Sequence, residues 1–120
     1  MVAEQEPAVK NLSESEQAAV RDFLARVHST YGARIRQAML FGSKARGQAN
    51  VDSDIDILLI VAHETWQLRD EICNISAGVS LQYDVLLDAR VIGEARWRDM
   101  SEVQAGLYQN VSNEAVPLVI

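Results

Sequence analysis

The chain has 120 residues, 48% of them hydrophobic and 23% charged, and it carries a net charge of −6 at pH 7. This length and composition predict one globular domain with a single core and exclude a disordered chain. The negative charge argues against binding a long nucleic acid, which needs many lysines and arginines to displace counterions, but metal ions and a local backbone site can still hold one nucleotide.

The chain is predicted to begin with a polar lead-in over residues 1–12, followed by a single folded domain over residues 13–120. Ser13 and Glu16 have the spacing of a capping box, in which each side chain bonds the other residue's backbone N–H. Apolar residues at helical spacing follow, and they predict a helix that ends at Gly32.

The apolar pattern predicts the remaining strands and helices. In order, we expect a strand over 35–41, a turn and short helix over 42–47, a strand over 54–61, a helix over 64–78, a strand over 81–87, and short helices near 94–98 and 103–111. Helices and strands that alternate in this way predict an α/β fold, a small mixed β-sheet flanked by helices.

The cysteine content and the apolar stretches indicate the cellular compartment. A single cysteine, Cys73, excludes an internal disulfide and fits a reducing environment. The first residues are acidic and lack the apolar core of a secretory signal. The longest strongly apolar stretch, residues 55–62, contains Asp56 and is too short to cross a membrane. We therefore expect a cytoplasmic protein with no membrane partner.

Two acids, Asp54 and Asp56, open the most apolar strand of the chain. Alternate residues of a strand point to the same face, so the two side chains project together, with backbones about 7 Å apart at a rise of ~3.3 Å per residue. Acids at this position are costly unless a cation or solvent compensates them. Oxygen ligands select hard ions, so the pair predicts a site for Mg²⁺ or Mn²⁺.

Gly42-Ser43 lies where a predicted strand passes into a predicted helix, a geometry in which free backbone N–H groups face an anion. Glycine lets the backbone approach a phosphate closely, and the Ser43 hydroxyl can donate another hydrogen bond. Ten residues separate Ser43 from Asp54, enough for a helical turn and a return loop. A phosphate site and a metal site are therefore expected to face each other across one cleft.

A third acid is predicted at Asp84, within the strand expected over residues 81–87. If that strand lies beside the strand of Asp54, Asp84 completes a carboxylate triad, where it binds a second metal or acts as base on an incoming hydroxyl. Asp88 shares the predicted face of Asp84 by the period of two, but at the end of the strand it is expected to be more solvated.

Two other motifs are excluded by the residues at their required positions. The acids spaced by two from Asp52 imitate the opening of a calcium-binding EF-hand loop, but Ile57 and His63 stand where that loop needs glycine and glutamate. Residues 42–47 have the glycine spacing of a P-loop, but Gln48 replaces its lysine.

At these residues the sequence resembles the nucleotidyltransferases related to DNA polymerase beta, and most of all their shortest members, the minimal nucleotidyltransferases. The family pattern is Gly-Ser, ten residues and Asp-x-Asp, which Gly42-Ser43 and Asp54-x-Asp56 meet. The flanking words Leu-Phe-Gly-Ser-x-Ala-Arg-Gly and Ser-Asp-Ile-Asp are also typical of the group. The resemblance covers residues 20 to 90 well.

The resemblance implies transfer of a nucleoside monophosphate, usually AMP from ATP, with release of pyrophosphate. Asp54, Asp56 and Asp84 would hold the catalytic Mg²⁺ or Mn²⁺ ions. Gly42 and Ser43 would bind the triphosphate. Arg46 would steady the motif or the phosphates, the alternative being a structural ion pair or a turn cap.

The resemblance also implies a protein partner. Larger relatives carry a helical domain that binds the acceptor, and this chain is expected to lack it. Minimal members are commonly the antitoxin of a two-gene toxin–antitoxin pair. Their partner is a small helical HEPN-type ribonuclease, and some silence it by attaching AMP to a toxin tyrosine. An adenylyltransferase that acts on such a partner is the implied function, and assembly into an oligomer is left open.

Two other functions stay open. A binding antitoxin with weak or lost catalysis would neutralise its toxin by occlusion, and a small-molecule adenylyltransferase would use the same core with added substrate-binding structure. The intact acids and Gly42-Ser43 favour the enzyme, because a pure binding module has no need of paired acids.

Overall fold

The computed structural model describes residues 11–46 and 54–119. In chain order the elements are α1 (Glu14–Tyr31), β1 (Ile35–Phe41), α2 (Ser43–Arg46), β2 (Ile55–Val61), α3 (Trp66–Tyr83), β3 (Leu87–Gly93), α4 (Glu94–Glu102), α5 (Gly106–Glu114) and β4 (Val116–Leu118). Of the predicted lead-in, residues 1–10 lie outside the described part of the chain, whereas Leu12 is buried in the core. None of the helices in the described ranges is long and apolar enough to cross a membrane.

The strands of the described residues form one sheet in the order β3-β2-β1-β4. β1 runs antiparallel to both β2 and β4, whereas β2 and β3 run parallel. A parallel pair requires a crossover connection, which α3 supplies. The prediction of an α/β fold with a small mixed sheet flanked by helices is confirmed.

Helices cover both faces of the sheet, and β2 contributes to both cores. Ile55, Ile57 and Leu59 are fully buried in the larger cluster, beneath α1 and α3. Leu58 and Ile60 belong to a smaller cluster on the opposite face, beneath α4 and α5. Successive side chains of a strand point to opposite faces, so an almost continuous apolar run is what a strand buried on both faces needs.

Helix α1 begins at the predicted capping box. Ser13 is the N-cap, and its hydroxyl accepts a hydrogen bond of 3.1 Å from the Glu16 N–H. Glu16 Oε1 accepts one of 2.9 Å from the Ser13 N–H in return. The helix ends at Tyr31, followed by Gly32 with a φ of 52°. Both predicted ends of this helix are confirmed.

The predicted strand over residues 81–87 is wrong. Helix α3 continues to Tyr83, beyond its predicted end at residue 78, and the third strand is Leu87–Gly93. Leu81 is 86% exposed on the last turn of α3, so part of the apolar run that suggested a strand lies on a helix surface. The predicted short helix near 94–98 is present as the longer α4, and the one over 103–111 is present as α5, shifted three residues towards the C-terminus. Strand β4 was not predicted from the sequence pattern.

Candidate active site

Three aspartates meet where β2 and β3 begin. Asp54 directly precedes β2, Asp56 is the second residue of β2, and Asp88 is the second residue of β3. Parallel pairing places Asp56 beside Asp88. One carboxylate oxygen from each of the three residues lies within 4.8 Å of the other two. Two neighbouring strand starts thus gather three negative charges at one point, which we call the acidic triad.

The alternation of the strands explains why these acids share a face. Leu58 follows Asp56 and Ile92 follows Asp88 at even spacing, and both apolar residues pack in the smaller cluster beneath α4 and α5. Asp54 and Asp88 are exposed and Asp56 is half-buried. The acids therefore occupy the start of a sheet face whose later part is covered by helices.

Asp84 does not lie with the other acids, contrary to the strand in which it was predicted. It is the C-cap of α3, with φ 54° and ψ 50°, and its backbone N–H donates to the Ser80 carbonyl. Asp88 occupies the third position of the triad instead. A period of two distinguishes Asp88 in the sequence, because Leu87, Ala89 and Val91 are apolar and alternate with Asp88 and Arg90.

Gly42 turns the chain away from β1 immediately beside the triad. Phe41 pairs with Asp56 across the β1–β2 ladder, so the next residue leaves the sheet at the level of that acid. Gly42 has a φ of 78°, a left-handed value that favours glycine. Ser43 then begins the four-residue helix α2, whose turn is closed by a 3.1 Å hydrogen bond from the Ala45 N–H to the Gly42 carbonyl. The structure therefore brings Gly42 to Asp56, as the sequence predicts.

Helix α1 holds this turn through a buried ion pair. Lys44 is 4% exposed, and its Nζ lies 2.7 Å from Glu16 Oε2. Burial raises the pKa of Glu16, but hydrogen bonds from Lys44 and the Ser13 N–H outweigh it and hold the pKa below its ordinary value. Asn11 Nδ2 also donates to the Ala45 carbonyl at 3.4 Å. The sequence did not single out Lys44, since lysine is seldom buried.

The side chain of Arg46, the last residue of α2, lies outside the described part of the chain. Its predicted contact with the phosphates therefore stays a prediction.

The geometry of the triad fits a hard divalent cation. Two oxygens on one Mg²⁺, each at about 2.1 Å, lie at most about 4.2 Å apart, so small side-chain rotations bring the triad onto one ion. The donors are carboxylate oxygens with no histidine or cysteine among them, the set that suits Mg²⁺ or Mn²⁺ rather than Zn²⁺. Three carboxylates this close also repel one another, which a cation would relieve.

Comparison with known proteins identifies the family. Residues 24–112 match the family described as "Polymerase beta, Nucleotidyltransferase", a range that includes the Gly42 turn and the acidic triad. The Methanocaldococcus jannaschii protein named "Putative protein adenylyltransferase MJ0604" is 30% identical over 100 residues, covering 83% of this chain and 94% of that relative. A second protein of that organism, with the same name except for the number MJ0141, is 30% identical over 69 residues, covering 57% of this chain and 70% of that relative.

Solved structures share the fold. A chain from "Crystal structure of the toxin-antitoxin with AMP-PNP" gives a TM-score of 0.56 at 22% identity, covering 81% of this chain and 70% of that chain. "Structure of putative minimal nucleotidyltransferase" gives a TM-score of 0.55 at 24% identity, covering 88% of this chain and 97% of that chain. The family match over the turn and the triad, the two sequence relatives and the shared fold lead to one conclusion: the chain is a nucleotidyltransferase and belongs to the polymerase beta-related family.

Proposed function

We propose that the chain transfers AMP from ATP to a hydroxyl of a partner protein, using Mg²⁺ or Mn²⁺ at the acidic triad. The observation that carries the proposal is the meeting of Asp54, Asp56 and Asp88 within 4.8 Å, beside the turn at Gly42. In this proposal Asp88 takes the third position that the sequence analysis gave to Asp84.

Charge makes the cation necessary for substrate binding. The triad carries three carboxylates in a chain whose net charge is −6, and ATP brings further negative charge to the same place. Without a cation the substrate and the site repel each other. The bound metal supplies charge neutralisation of the triphosphate and lowers the barrier to phosphoryl transfer. ATP binding is therefore expected to depend on added Mg²⁺ or Mn²⁺.

Residues of the chain bind the metal and the phosphates and accept the proton of the acceptor. Asp54, Asp56 and Asp88 would hold the metal, while Gly42 and Ser43 bind phosphate oxygens through the backbone and the Ser43 hydroxyl. The acceptor oxygen attacks the α-phosphorus, a new P–O bond forms, and the bond to the departing pyrophosphate breaks. Asp88 is exposed and takes the proton of the acceptor hydroxyl as base.

The names of similar proteins support a protein as the acceptor of AMP. The M. jannaschii proteins are named as protein adenylyltransferases, and the structural neighbour with AMP-PNP is a toxin–antitoxin complex. We propose that this chain is likewise an antitoxin, and that its partner is a small helical HEPN-type ribonuclease whose acceptor is a tyrosine hydroxyl. A small metabolite as acceptor is the competing proposal.

The test uses the purified chain with the helical protein encoded by the neighbouring gene, ATP and Mg²⁺. The neighbour is weighed by intact mass spectrometry and its ribonuclease activity is measured in parallel. We expect AMP additions and a matching loss of ribonuclease activity, both abolished by Asp56→Asn and both retained in Asp84→Asn.

Other results separate the alternatives. Tight binding that silences the neighbour with no change of mass would establish occlusion and refute the transfer proposal. Consumption of ATP by the chain alone, with labelled AMP found on a small molecule from a metabolite extract, would move the acceptor away from protein. Transfer that survives Asp56→Asn would remove the triad from the mechanism.

A further inference from the structure

Strand β3 forms one edge of the sheet, and only some of the backbone N–H and C=O groups on its outer side have a hydrogen-bond partner. The Ile55 N–H donates to the Leu86 carbonyl at 2.7 Å, and β2 and β3 then pair in parallel. In a parallel ladder, alternate residues turn both their N–H and their C=O towards the same neighbour. Asp88, Arg90 and Ile92 therefore bond to β2. The residues between them, Leu87, Ala89, Val91 and Gly93, turn their backbone groups away from the sheet.

Side chains cap the two ends of this outer edge. The Leu87 N–H donates to Ser80 Oγ at 3.1 Å, and the Leu87 carbonyl accepts from Ser76 Oγ at 2.7 Å. At the other end, the Gly93 N–H donates to Glu64 Oε1 at 2.8 Å. Capping of this kind protects an edge strand from pairing with another chain.

The middle of the edge is left open. The Val91 carbonyl receives a long hydrogen bond of 3.4 Å from Arg96. Across residues 11–46 and 54–119, no side chain bonds the N–H or C=O of Ala89 or the N–H of Val91. Three backbone groups, two donors and one acceptor, thus face outward between capped ends. This spacing suits a short extended peptide, which bonds an edge strand at every second residue.

The open segment lies in a cavity of about 280 Å³ that is rich in arginine. Arg69 of α3, Arg90 of β3 and Arg96 of α4 line it, and Cys73 lies among them. Glu64 pairs with Arg96 at 2.8 Å and with Arg69 at 3.2 Å, so two of the three guanidinium groups share one carboxylate. The cavity lining itself contains three arginines and no acid. In a chain with a net charge of −6, this concentration of positive charge selects an anionic ligand.

We infer that the open edge at Ala89 and Val91 binds an extended, acidic segment of a partner protein. Such a segment adds as a short strand to β3 through the three open backbone groups, and its carboxylates pair with Arg90 and its neighbouring arginines. This surface is separate in chemistry from the acidic triad, which would repel the same segment. The inference does not depend on AMP transfer.

The observations disfavour two other occupants. A second copy that paired with the same edge would place like-charged arginines close to one another, which is unfavourable. A nucleic acid would satisfy the arginines but has no regular array of N–H and C=O groups to match Ala89 and Val91. The acidic peptide alone satisfies both the charge and the backbone.

The first measurement is amide hydrogen exchange by NMR on the full chain. In the free protein, the amides of Ala89 and Val91 should exchange at least about a hundredfold faster than those of Arg90 and Ile92, which bond to β2. An acetylated octapeptide of alternating glutamate and threonine is then added at saturating concentration. We expect the Ala89 and Val91 amides to slow at least about tenfold, with those of Arg90 and Ile92 little changed. Equal protection in the free protein, or no slowing with peptide up to millimolar concentration, overturns the inference.

The second measurement tests the charge. Arg90→Glu should weaken binding of the octapeptide about tenfold, as measured by fluorescence anisotropy, because it places a like charge beside the peptide. Arg98→Glu is the matched control, since it makes the same change of net charge at an exposed residue of α4 that does not line the cavity. An equal effect of both variants refutes a local site. Equal affinity for a lysine–threonine octapeptide, or stronger binding of a single-stranded oligothymidine, also refutes the acidic peptide as occupant.

Discussion

Gly42 packs so closely against Asp56 that a side chain at position 42 would displace the Asp56 carboxylate. A Cβ built on Gly42 would overlap the Asp56 carboxylate, lying 3.2 Å from Asp56 Cγ. The left-handed φ of 78° adds a second reason for glycine at this position. The turn after β1 and the acidic triad are therefore in direct contact, and one substitution tests both.

Gly42→Ala should destabilise the fold by at least about 2 kcal/mol, since it adds backbone strain and displaces the Asp56 carboxylate. It should also weaken Mn²⁺ binding, measured by electron paramagnetic resonance, and reduce AMP transfer. Urea unfolding gives the free energy.

Two other glycines serve as controls that separate backbone strain from displacement of the Asp56 carboxylate. A Cβ added to Gly32 meets nothing within 4 Å, but the backbone of Gly32 has a φ of 52°. Gly32→Ala should therefore lower the free energy of unfolding by about 1 to 2 kcal/mol and leave Mn²⁺ binding intact. Gly78 lies within helix α3 and also has open space, so Gly78→Ala should stabilise the fold by about 0.5 to 1 kcal/mol. A Gly42→Ala variant that binds Mn²⁺ as tightly as Gly32→Ala would contradict the contact with Asp56.

The ion pair of Glu16 and Lys44 makes a prediction about stability. Lys44→Met leaves the carboxylate of Glu16 largely buried, and Glu16→Gln leaves the Lys44 ammonium without that charge while keeping an acceptor for the Ser13 N–H. Each should cost about 2 to 4 kcal/mol in urea unfolding, because each removes one charge of a buried ion pair. The double variant should be more stable than the sum of the two losses predicts.

An exposed pair gives the control for that cycle. Arg36 Nε lies 3.5 Å from Glu94 Oε1, and both side chains are about half exposed, at 50% and 44%. Arg36→Met should change the free energy of unfolding by less than about 0.5 kcal/mol. Additive losses for the Glu16 and Lys44 variants would show that the two side chains are not coupled.

The sequence predicted the first half of the fold closely because each element carries its own local signal. The Ser13 capping box marks the start of α1, the apolar residues Ala38 to Phe41 mark most of β1, and the apolar run after Asp56 marks β2. The pairing of β1 with β2 brings Gly42 close to Asp56, because Phe41, the residue before Gly42, pairs with Asp56. These features depend on residues close in sequence or on one adjacent strand pair.

Asp84 was placed in a strand that the structure does not contain, because a tertiary contact holds the last turns of α3. Ser76 is buried on the core side of that helix and donates to the Leu87 carbonyl at 2.7 Å. The predicted helix ended at about Gly78, and the apolar residues between Leu81 and Leu87 then resembled a strand. The hydrogen bond that makes Ser76 favourable in the core joins two elements, and no local pattern reveals it.

Tyr31 predicts a loss of stability in alkali. Its hydroxyl donates to Glu71 of α3, and Arg34 lies 5.5 Å from the centre of its ring. Burial, followed by the hydrogen bond and the negative charge of Glu71, raises the pKa of Tyr31 to about 12. A raised pKa in the folded state means that this contribution to stability is complete below about pH 10 and is lost as the pH rises through 12.

Absorbance titration of the tyrosinates on the folded chain checks this prediction. Tyr31→Phe should remove the step near pH 12 and flatten the alkaline fall in the free energy of unfolding. Glu71→Gln keeps an acceptor but removes the charge, so it should move the step to lower pH without abolishing it. A step near pH 12 that persists in Tyr31→Phe would show that another group titrates there.

The comparison of Asp88 with Asp84 is the sharpest test of the site, because the two acids are close in sequence but have different surroundings. Asp88→Asn removes one carboxylate from the triad, whereas Asp84→Asn changes an exposed C-cap with φ 54°, a conformation that asparagine tolerates well. Asp88→Asn should weaken Mn²⁺ binding at least about tenfold and slow AMP transfer at least about a hundredfold. Asp84→Asn should leave Mn²⁺ affinity and the rate of AMP transfer within about twofold, because Asp84 is exposed and does not belong to the acidic triad.

The metal-free protein gives an independent result in the opposite direction. Asp88→Asn relieves repulsion among three carboxylates that lie within 4.8 Å, so without divalent ions it should stabilise the fold by about 0.5 to 1 kcal/mol. Added Mg²⁺ should then raise the melting temperature of the unaltered chain and of Asp84→Asn, but not that of Asp88→Asn. A gain of stability paired with a loss of Mn²⁺ binding is the signature of a functional acid, since a structural acid would lose stability instead. Loss of Mn²⁺ binding in Asp84→Asn, with Asp88→Asn unchanged, would restore Asp84 as the third ligand.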